Sequence, residues 1–257
     1  MGCALITGAS SGIGFELAKL FARDKHHLIL VARRKEKMIQ LARELEENYQ
    51  VITHVLVRDL SQSQAPEEIY KWIKKNDIRI DFLVNNAGFI VYGNFSDTRW
   101  EDELNMMKLH METTSLLTKL FLPDMLMNKQ GRILNVGSTG SFVPGPYLAV
   151  YCATKSYILS LSEALSEELY RSGVTVTVLC PGRTKTGFEI NAVGKTIMNE
   201  TRGMNAEKVA RIAYRALMKG RRVVIPGLHN RIQVFATRFL PRAILTRFIK
   251  IMMQKYR

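Results

Sequence analysis

Tyr151 and Lys155 stand four residues apart in Leu148–Arg171, a stretch whose apolar spacing predicts a helix, so a phenol and an ammonium share one face. Ser138 lies thirteen residues before the tyrosine, just past Arg132–Val136, an apolar run that predicts a strand. A free phenol titrates at about pH 10; to give and retake a proton near neutrality it must come down by about 2–3 units, on the order of 3–4 kcal/mol. A neighbouring ammonium works in that direction, because opposite charge favours the ionised phenol. A serine hydroxyl beside them can hydrogen-bond an oxygen on which charge develops. Spacing alone does not single out this pair, since Tyr70 and Lys74 repeat it on the amphipathic segment Pro66–Lys74. That second pair has no small polar residue placed upstream for chemistry.

A different kind of motif opens the chain. Thr7-Gly8-Ala9-Ser10-Ser11-Gly12-Ile13-Gly14 follows a first predicted strand, Ala4–Thr7, and leads into a predicted helix, Gly12–Arg23. Glycines there permit a tight turn and let a pyrophosphate approach backbone N–H groups at a helix N-terminus, where the dipole favours negative charge. At the end of the second strand, where NAD-selective folds place an acid on the ribose 2′-hydroxyl, the sequence reads Ala32-Arg33-Arg34-Lys35. Cations at a helix start oppose the dipole. The alternative is a solvated basic helix start; a guanidinium that forks onto a 2′-phosphate gives the cations a purpose, so Arg33, with Arg34 as second candidate, implies NADP(H).

These groups need a scaffold. Short β-branched or Leu-rich runs (Ala4–Thr7, Leu28–Ala32, Ile52–Val57, Phe82–Asn85, Arg132–Val136, Val174–Leu179, Val223–Ile225) alternate with helix candidates (Gly12–Arg23, Lys35–Asn48, Pro66–Lys74, Trp100–Met127, Leu148–Arg171, Ala206–Met218). That alternation predicts βαβ units and a doubly wound, Rossmann-like α/β fold with a parallel sheet, in one domain over residues 1–227. With 257 residues, 47% of them hydrophobic, the chain can bury a large core. No run of eighteen uncharged apolar residues occurs and no secretory signal fits before the first strand, so the expected location is cytoplasmic. Gly2 hints at myristoylation, but Ile6 stands where the acceptor pattern wants Ser or Thr. Cys3, Cys152 and Cys180, far apart in apolar runs, suggest reduced core thiols and neither disulfides nor a metal site.

The Gly8-x3-Gly12-x-Gly14 spacing, with Ser138, Tyr151 and Lys155, resembles the short-chain dehydrogenase/reductase family, and motifs in the same order cover about Met1 to Ile225. The resemblance implies hydride transfer between a nicotinamide cofactor and a carbonyl or alcohol substrate, with Tyr151 as acid/base, Lys155 on the nicotinamide ribose and Ser138 on the carbonyl oxygen. It makes Gly8, Ser10, Ser11, Gly12, Ile13 and Gly14 the phosphate turn, and Asp59 with Leu60 the adenine contact. Asn85, Asn86, Ala87 and Gly88 match its Asn-Asn-Ala-Gly motif, the last three as cofactor contacts, and Pro181, Gly182 and Thr186 its Pro-Gly-x-x-x-Thr segment on the nicotinamide amide. Where the family has an Asn on its fourth helix, counting back from Leu122-Pro123 reaches His110. This histidine either holds a relay water through a ring nitrogen or is an ordinary helix residue. About residues 186–204 correspond to the mobile substrate cover, and Phe142, Val143, Pro144 and Phe188 either make the pocket partly apolar or pack the loops. Relatives pair their two long helices into homodimers or homotetramers.

The formal charge of +14 belongs to the C-terminus. From Asn191 onward there are 15 basic and 2 acidic side chains, against 22 and 21 before it, so the charge is no nucleic-acid footprint over the whole chain. Residues 228–257 contain no acid and seven cations, interleaved with apolar residues at spacings of mostly three or four. Arg231, Arg238 and Arg242 are expected on one side of a helix, before or across Pro241. Such a tail suits an anionic membrane surface or, equally, docking on the domain or a sister subunit. The chain is expected to be an NADP(H)-dependent reductase of a ketone or aldehyde, lipophilic in the manner of a 3-oxoacyl group. The alternative is a catalytically silent sensor or membrane-associated scaffold on the same fold.

Overall fold

The computed structural model describes residues 2–186, 190–192 and 203–254. Its first half runs β1 (Cys3–Thr7), α1 (Gly12–Arg23), β2 (His27–Ala32), α2 (Lys35–Tyr49), β3 (Thr53–Val57), α3 (Ala65–Lys75) and β4 (Phe82–Asn85). After a short β5 (Ile90–Tyr92) come α4 (Trp100–Met107), a π-helical turn (Lys108–Thr113), α5 (Thr114–Met127), β6 (Gly131–Val136), a 3₁₀ turn (Thr139–Phe142), α6 (Ala149–Glu168) and β7 (Val174–Leu179). The remainder is β8 (Thr184–Lys185), β9 (Ile190–Ala192), β10 (Met204–Asn205), α7 (Ala206–Met218), β11 (Val223–Val224), α8 (Leu228–Ala236) and α9 (Arg242–Gln254).

Among the described residues the seven predicted strands form one parallel sheet in the order β11-β7-β6-β4-β1-β2-β3. Strand alternation splits its core into two layers. Ala4 and Ile6 join Leu17 and Phe21 of α1, Leu41 of α2 and Ala213 of α7 on one face. Leu5 points the other way, to Ile69 of α3 and Leu117 and Phe121 of α5. The chain winds outward through β1, β2 and β3, then crosses back to lay β4 on the other side of β1. At that reversal the connections diverge, leaving a crevice at the C-terminal strand ends where ligands bind in such sheets. Two small parallel pairs, β5 with β9 and β8 with β10, lie outside the main sheet.

Two expectations needed revision. Trp100–Met127 is not one α-helix: the π turn inserts at Lys108–Thr113 and widens it, so that His110 and Thr113 are both buried. Thr113 Oγ1 then donates to the Leu60 carbonyl at 2.6 Å. In the tail, α8 ends at Ala236 and α9 begins after Pro241, so Arg238 falls in the intervening turn and does not share a helix face with Arg231 and Arg242. Proline cannot continue the amide ladder of α8, which accounts for the break. No described helix is long and apolar enough to cross a membrane.

Candidate active site

A cavity of about 730 Å³ opens at the C-terminal ends of β1, β2, β4 and β6. Gly8 and Gly12 take positive φ values of 67° and 60° at its edge. A Cβ on Gly8 would stand 2.8 Å from Asn86 Nδ2, and one on Gly12 2.8 Å from Thr186 Cγ2, so conformation and space both exclude a side chain. Ser11 is the N-cap residue of α1 but makes no side-chain capping bond. Its Oγ accepts instead from Arg34 Nη2 at 2.6 Å, while Arg34 Nε donates to Ser10 Oγ at 3.2 Å. The first-turn N–H groups of α1 are therefore left for an anion, beside a guanidinium that braces the turn. Arg33 and Arg34 both line the cavity. A glycine cradle and two arginines at the next strand end fit a dinucleotide with a 2′-phosphate.

Other expected binding residues divide by role. Asp59 Oδ1 accepts from Ser61 N at 3.0 Å and Ser61 Oγ at 2.8 Å, which fixes the carboxylate at the cavity edge beside Leu60. Asn86 lines the cavity but spends its amide as a fastener, donating to the Thr7 carbonyl at 2.8 Å. Thr7 Oγ1 completes the clasp by accepting the Asn86 and Ala87 N–H groups. Ser10, Ile13, Ala87, Gly88, Pro181, Gly182 and Thr186 also line the cavity. Gly14 does not; a Cβ there would lie 2.5 Å from the Gly8 carbonyl oxygen, so its contribution is close packing of turn and helix.

Ser138, Tyr151 and Lys155 face the same cavity from β6 and α6. Ser138 Oγ accepts the Gly140 N–H at 3.0 Å, leaving its own proton to donate. Ser141, which spacing did not flag, locks this turn to the helix: its hydroxyl accepts from Ser138 N and donates to the Lys155 carbonyl at 2.8 Å. The Ser138-x-x-Ser141 capping box was the available signal. Lys155 Nζ donates to the Val136 carbonyl at 2.9 Å and sits 5.8 Å over the Tyr151 ring.

The electrostatics differ from the expected lowering of the phenol. Burial pushes Tyr151 up to about 12, and the hydrogen bond from Ser138 only partly opposes it. Burial also brings Lys155 down to about 7. The ammonium lies over the ring, and desolvation by burial is the largest cause of the shift for both groups.

His110 lies just behind the cavity wall. Its Nδ1 is 2.9 Å from Thr154 Oγ1, whose single proton goes to the Tyr151 carbonyl at 2.8 Å. The threonine must then accept, so Nδ1 carries the imidazole proton and Nε2 presents a lone pair. That Nε2 is buried without a protein partner. A Cβ on Gly88 would stand 2.8 Å from it and 3.7 Å from Lys155 Nζ, so both atoms approach the Gly88 backbone. Burial and the Lys155 charge hold His110 well below its ordinary pKa, and it stays neutral.

The alternative pair is accounted for structurally: Lys74 bridges to Asp124 at 2.7 Å and lies over Tyr70, which packs on Phe121. Of the expected apolar lining, Val143 faces the cavity, Phe142 packs instead against the Ile158 cluster, and Pro144 is absent from the wall. Phe188 and most of the expected substrate cover lie outside the described residues. The apolar wall comes from α8, α9 and the turn between them, through Ala236, Leu240, Leu245, Phe248, Ile249 and Met252. Asn230 at the start of α8 packs on Gly182, and Tyr92 Oη donates to the Met253 carbonyl at 2.8 Å, tying this wall to the domain.

Residues 2–196 match the short chain dehydrogenase family profile. The chain is 31% identical over 261 residues to dehydrogenase/reductase SDR family member 7B of Xenopus laevis, covering 96% of this chain and 80% of that one. It is 34% identical over 177 residues to a very-long-chain 3-oxoacyl-CoA reductase of Laccaria bicolor, covering 67% of this chain and 52% of that one. Its fold superposes with a TM-score of 0.83 and 31% identity on a short-chain dehydrogenase from Sphingobium yanoikuyae solved with NADPH, over 92% of both chains. With the glycine turn, the dinucleotide crevice and the Ser138, Tyr151 and Lys155 side chains converging on one cavity, the chain belongs to the short-chain dehydrogenase/reductase family, oxidoreductases that use a nicotinamide dinucleotide to interconvert CH–OH and C=O groups.

Proposed function

We propose that the protein is an NADP(H)-dependent carbonyl reductase, reversible as an alcohol dehydrogenase, acting on a lipophilic ketone or aldehyde such as a 3-oxoacyl group. The observation that carries this reading is the convergence of Tyr151, Ser138 and Lys155 on a cavity whose opposite end presents Arg33 and Arg34. NADPH, when bound, supplies the hydride for the carbonyl carbon. Ser138, oriented by the Gly140 N–H that its hydroxyl accepts, donates its proton as a hydrogen bond to the carbonyl oxygen. Tyr151 transfers its phenolic proton to the same oxygen as charge develops there, leaving phenolate. Lys155, held at about 7, carries positive charge to stabilise that phenolate and exchanges its own proton near neutral pH. His110 acts as a positioning residue: its Nε2 lone pair accepts a hydrogen bond on the Gly88 side of Lys155 and so orders a water for proton return.

The apolar wall from α8 and α9 supports a lipophilic substrate. The name of the Laccaria relative points the same way. Contact of the acid-free tail with an anionic membrane, and pairing of copies into a homodimer or homotetramer through α4, α5 and α6, complete the proposal. Purified protein incubated with NADPH and a panel of short and long-chain ketones and aldehydes tests it by loss of reduced-nicotinamide absorbance. The expected result is turnover that rises with chain length. NADPH binding without turnover of any panel member would overturn the reductase reading in favour of a silent sensor.

A further inference from the structure

The C-terminal segment has more apolar surface than the cavity covers. Nine of the 17 large apolar side chains exposed among the described residues lie in 228–254. Leu228, Ile232, Phe235 and Phe239 follow one another at spacings of three or four, and Ile244, Phe248 and Ile251 do the same on α9. Each of these seven is 57–73% exposed. Arg231, Arg238, Arg242, Arg247 and Lys250 are interspersed, and Glu207 is the last acidic residue in the chain. Monomeric surfaces rarely leave so much contiguous apolar area in water, so the patch is built to be covered.

Charge decides what covers it. A second copy meeting this patch face to face would bring two acid-free cationic surfaces together, which is repulsive. An anionic lipid surface neutralises the cations while the aromatic and aliphatic side chains enter the acyl boundary, and helices of 9 and 13 residues suit lying in that plane. The patch is also continuous with the reaction cavity. Leu240, Phe248 and Met252 are exposed on the outside and line the cavity on the inside, around the buried Leu245.

Resting on the carbonyl-reductase reading, we propose that α8 and α9 dock on an anionic membrane with the cavity mouth against the lipid, so that the carbonyl substrate enters from the bilayer and not from water. The side chains of Phe235, Phe239 and Ile244 lie outside the cavity lining, so their replacement separates docking from chemistry. Full-length protein with NADPH is co-sedimented with phosphatidylcholine vesicles, with or without about one-third phosphatidylserine. Turnover is then measured on a water-soluble aromatic aldehyde and on a long-chain methyl ketone dissolved in the anionic vesicles. The parent should pellet at least tenfold more with anionic vesicles than with neutral ones. A Phe235→Ser, Phe239→Ser, Ile244→Ser variant should lose that binding and about tenfold of turnover on the embedded ketone, while keeping aldehyde turnover within about twofold.

An Arg238→Glu, Arg242→Glu, Arg247→Glu variant should do the same through charge alone. Failure of the parent to pellet, equal pelleting with both vesicle types, or undiminished turnover of the embedded ketone by either variant would overturn the proposal. So would a parent dimer that the serine variant converts to monomer without any vesicle binding. Vesicle binding with no turnover of either carbonyl would instead sink the reductase reading on which the substrate route rests.

Discussion

Lys155 and Leu245 face one cavity from opposite sides, and the regions around them follow different rules. On the α6 side, polar atoms are held one by one: Lys155 on the Val136 carbonyl, Ser138 under Gly140, Ser141 on the Lys155 carbonyl, His110 on Thr154. On the α8–α9 side, Val234 and Leu245 are the buried residues, and the surface acts through summed apolar area and summed charge. A site of the first kind fails when one atom is removed. One of the second kind fails only when several residues change together.

Single-atom changes should therefore produce the largest effects. Tyr151→Phe removes one oxygen and should lower kcat about a thousandfold while NADPH binding, followed by fluorescence titration, stays within about threefold. Retained turnover would erase the contrast between the two regions. Arg33→Asp, at the far end of the cavity, should weaken NADPH on the order of 30–100-fold and NADH much less, read as the ratio of kcat/KM values; equal losses would remove the 2′-phosphate from that strand end.

Lys155 makes the cost of the ordered region measurable through pH. Its folded value of about 7 lies below the ordinary 10.5, so between those values the unfolded chain binds more protons and stability rises with pH. The penalty for burying the ammonium is fully present below about pH 7. Lys155→Met should consequently be inactive yet about 1–3 kcal/mol more stable at pH 7 by urea unfolding, with the advantage shrinking toward pH 10.5. An advantage independent of pH would show that burial of this charge is not its source. Smallest of all, any single serine substitution among Phe235, Phe239 and Ile244 should change turnover of a water-soluble aldehyde by less than about twofold; a loss comparable to that of Tyr151→Phe would place the tail in the chemistry itself.

The two regions also differed in what their residues revealed in advance. Apolar runs such as Ala4–Thr7 could be read as strands because both faces of a parallel sheet are buried, and the Ser138, Tyr151 and Lys155 spacing survives folding because it is local to one strand end and one helix. Nothing in Lys108–Thr113 marks a π turn, since it contains neither Gly nor Pro. What pulls His110 and Thr113 inward is tertiary: Thr154 on α6 and the Leu60 carbonyl. The tail was legible as amphipathic, yet periodicity does not say which of two apolar surroundings a stripe meets, and α9 has a stripe for each. Ser141 is marked in the sequence only by its spacing from Ser138, because its other partner, the Lys155 carbonyl, is a backbone atom that carries no residue signature.

The crossing of β4 to the far side of β1 divides labour along the chain. On the proposed reading, the residues that grip the cofactor's phosphates come from the β1–β2 half, while the proton-handling side chains come from β6 and α6 on the other half. The joint between them is spanned by the Thr7 and Asn86 clasp. The same reading puts cofactor preference and substrate choice on separate mutational routes, with Arg33 at the opposite half from the carbonyl end and Arg34 tied to the turn through Ser10 and Ser11. If the tail sets the substrate as proposed, a lineage with this architecture acquires a new one by rebuilding residues 228–257 while leaving its redox currency untouched.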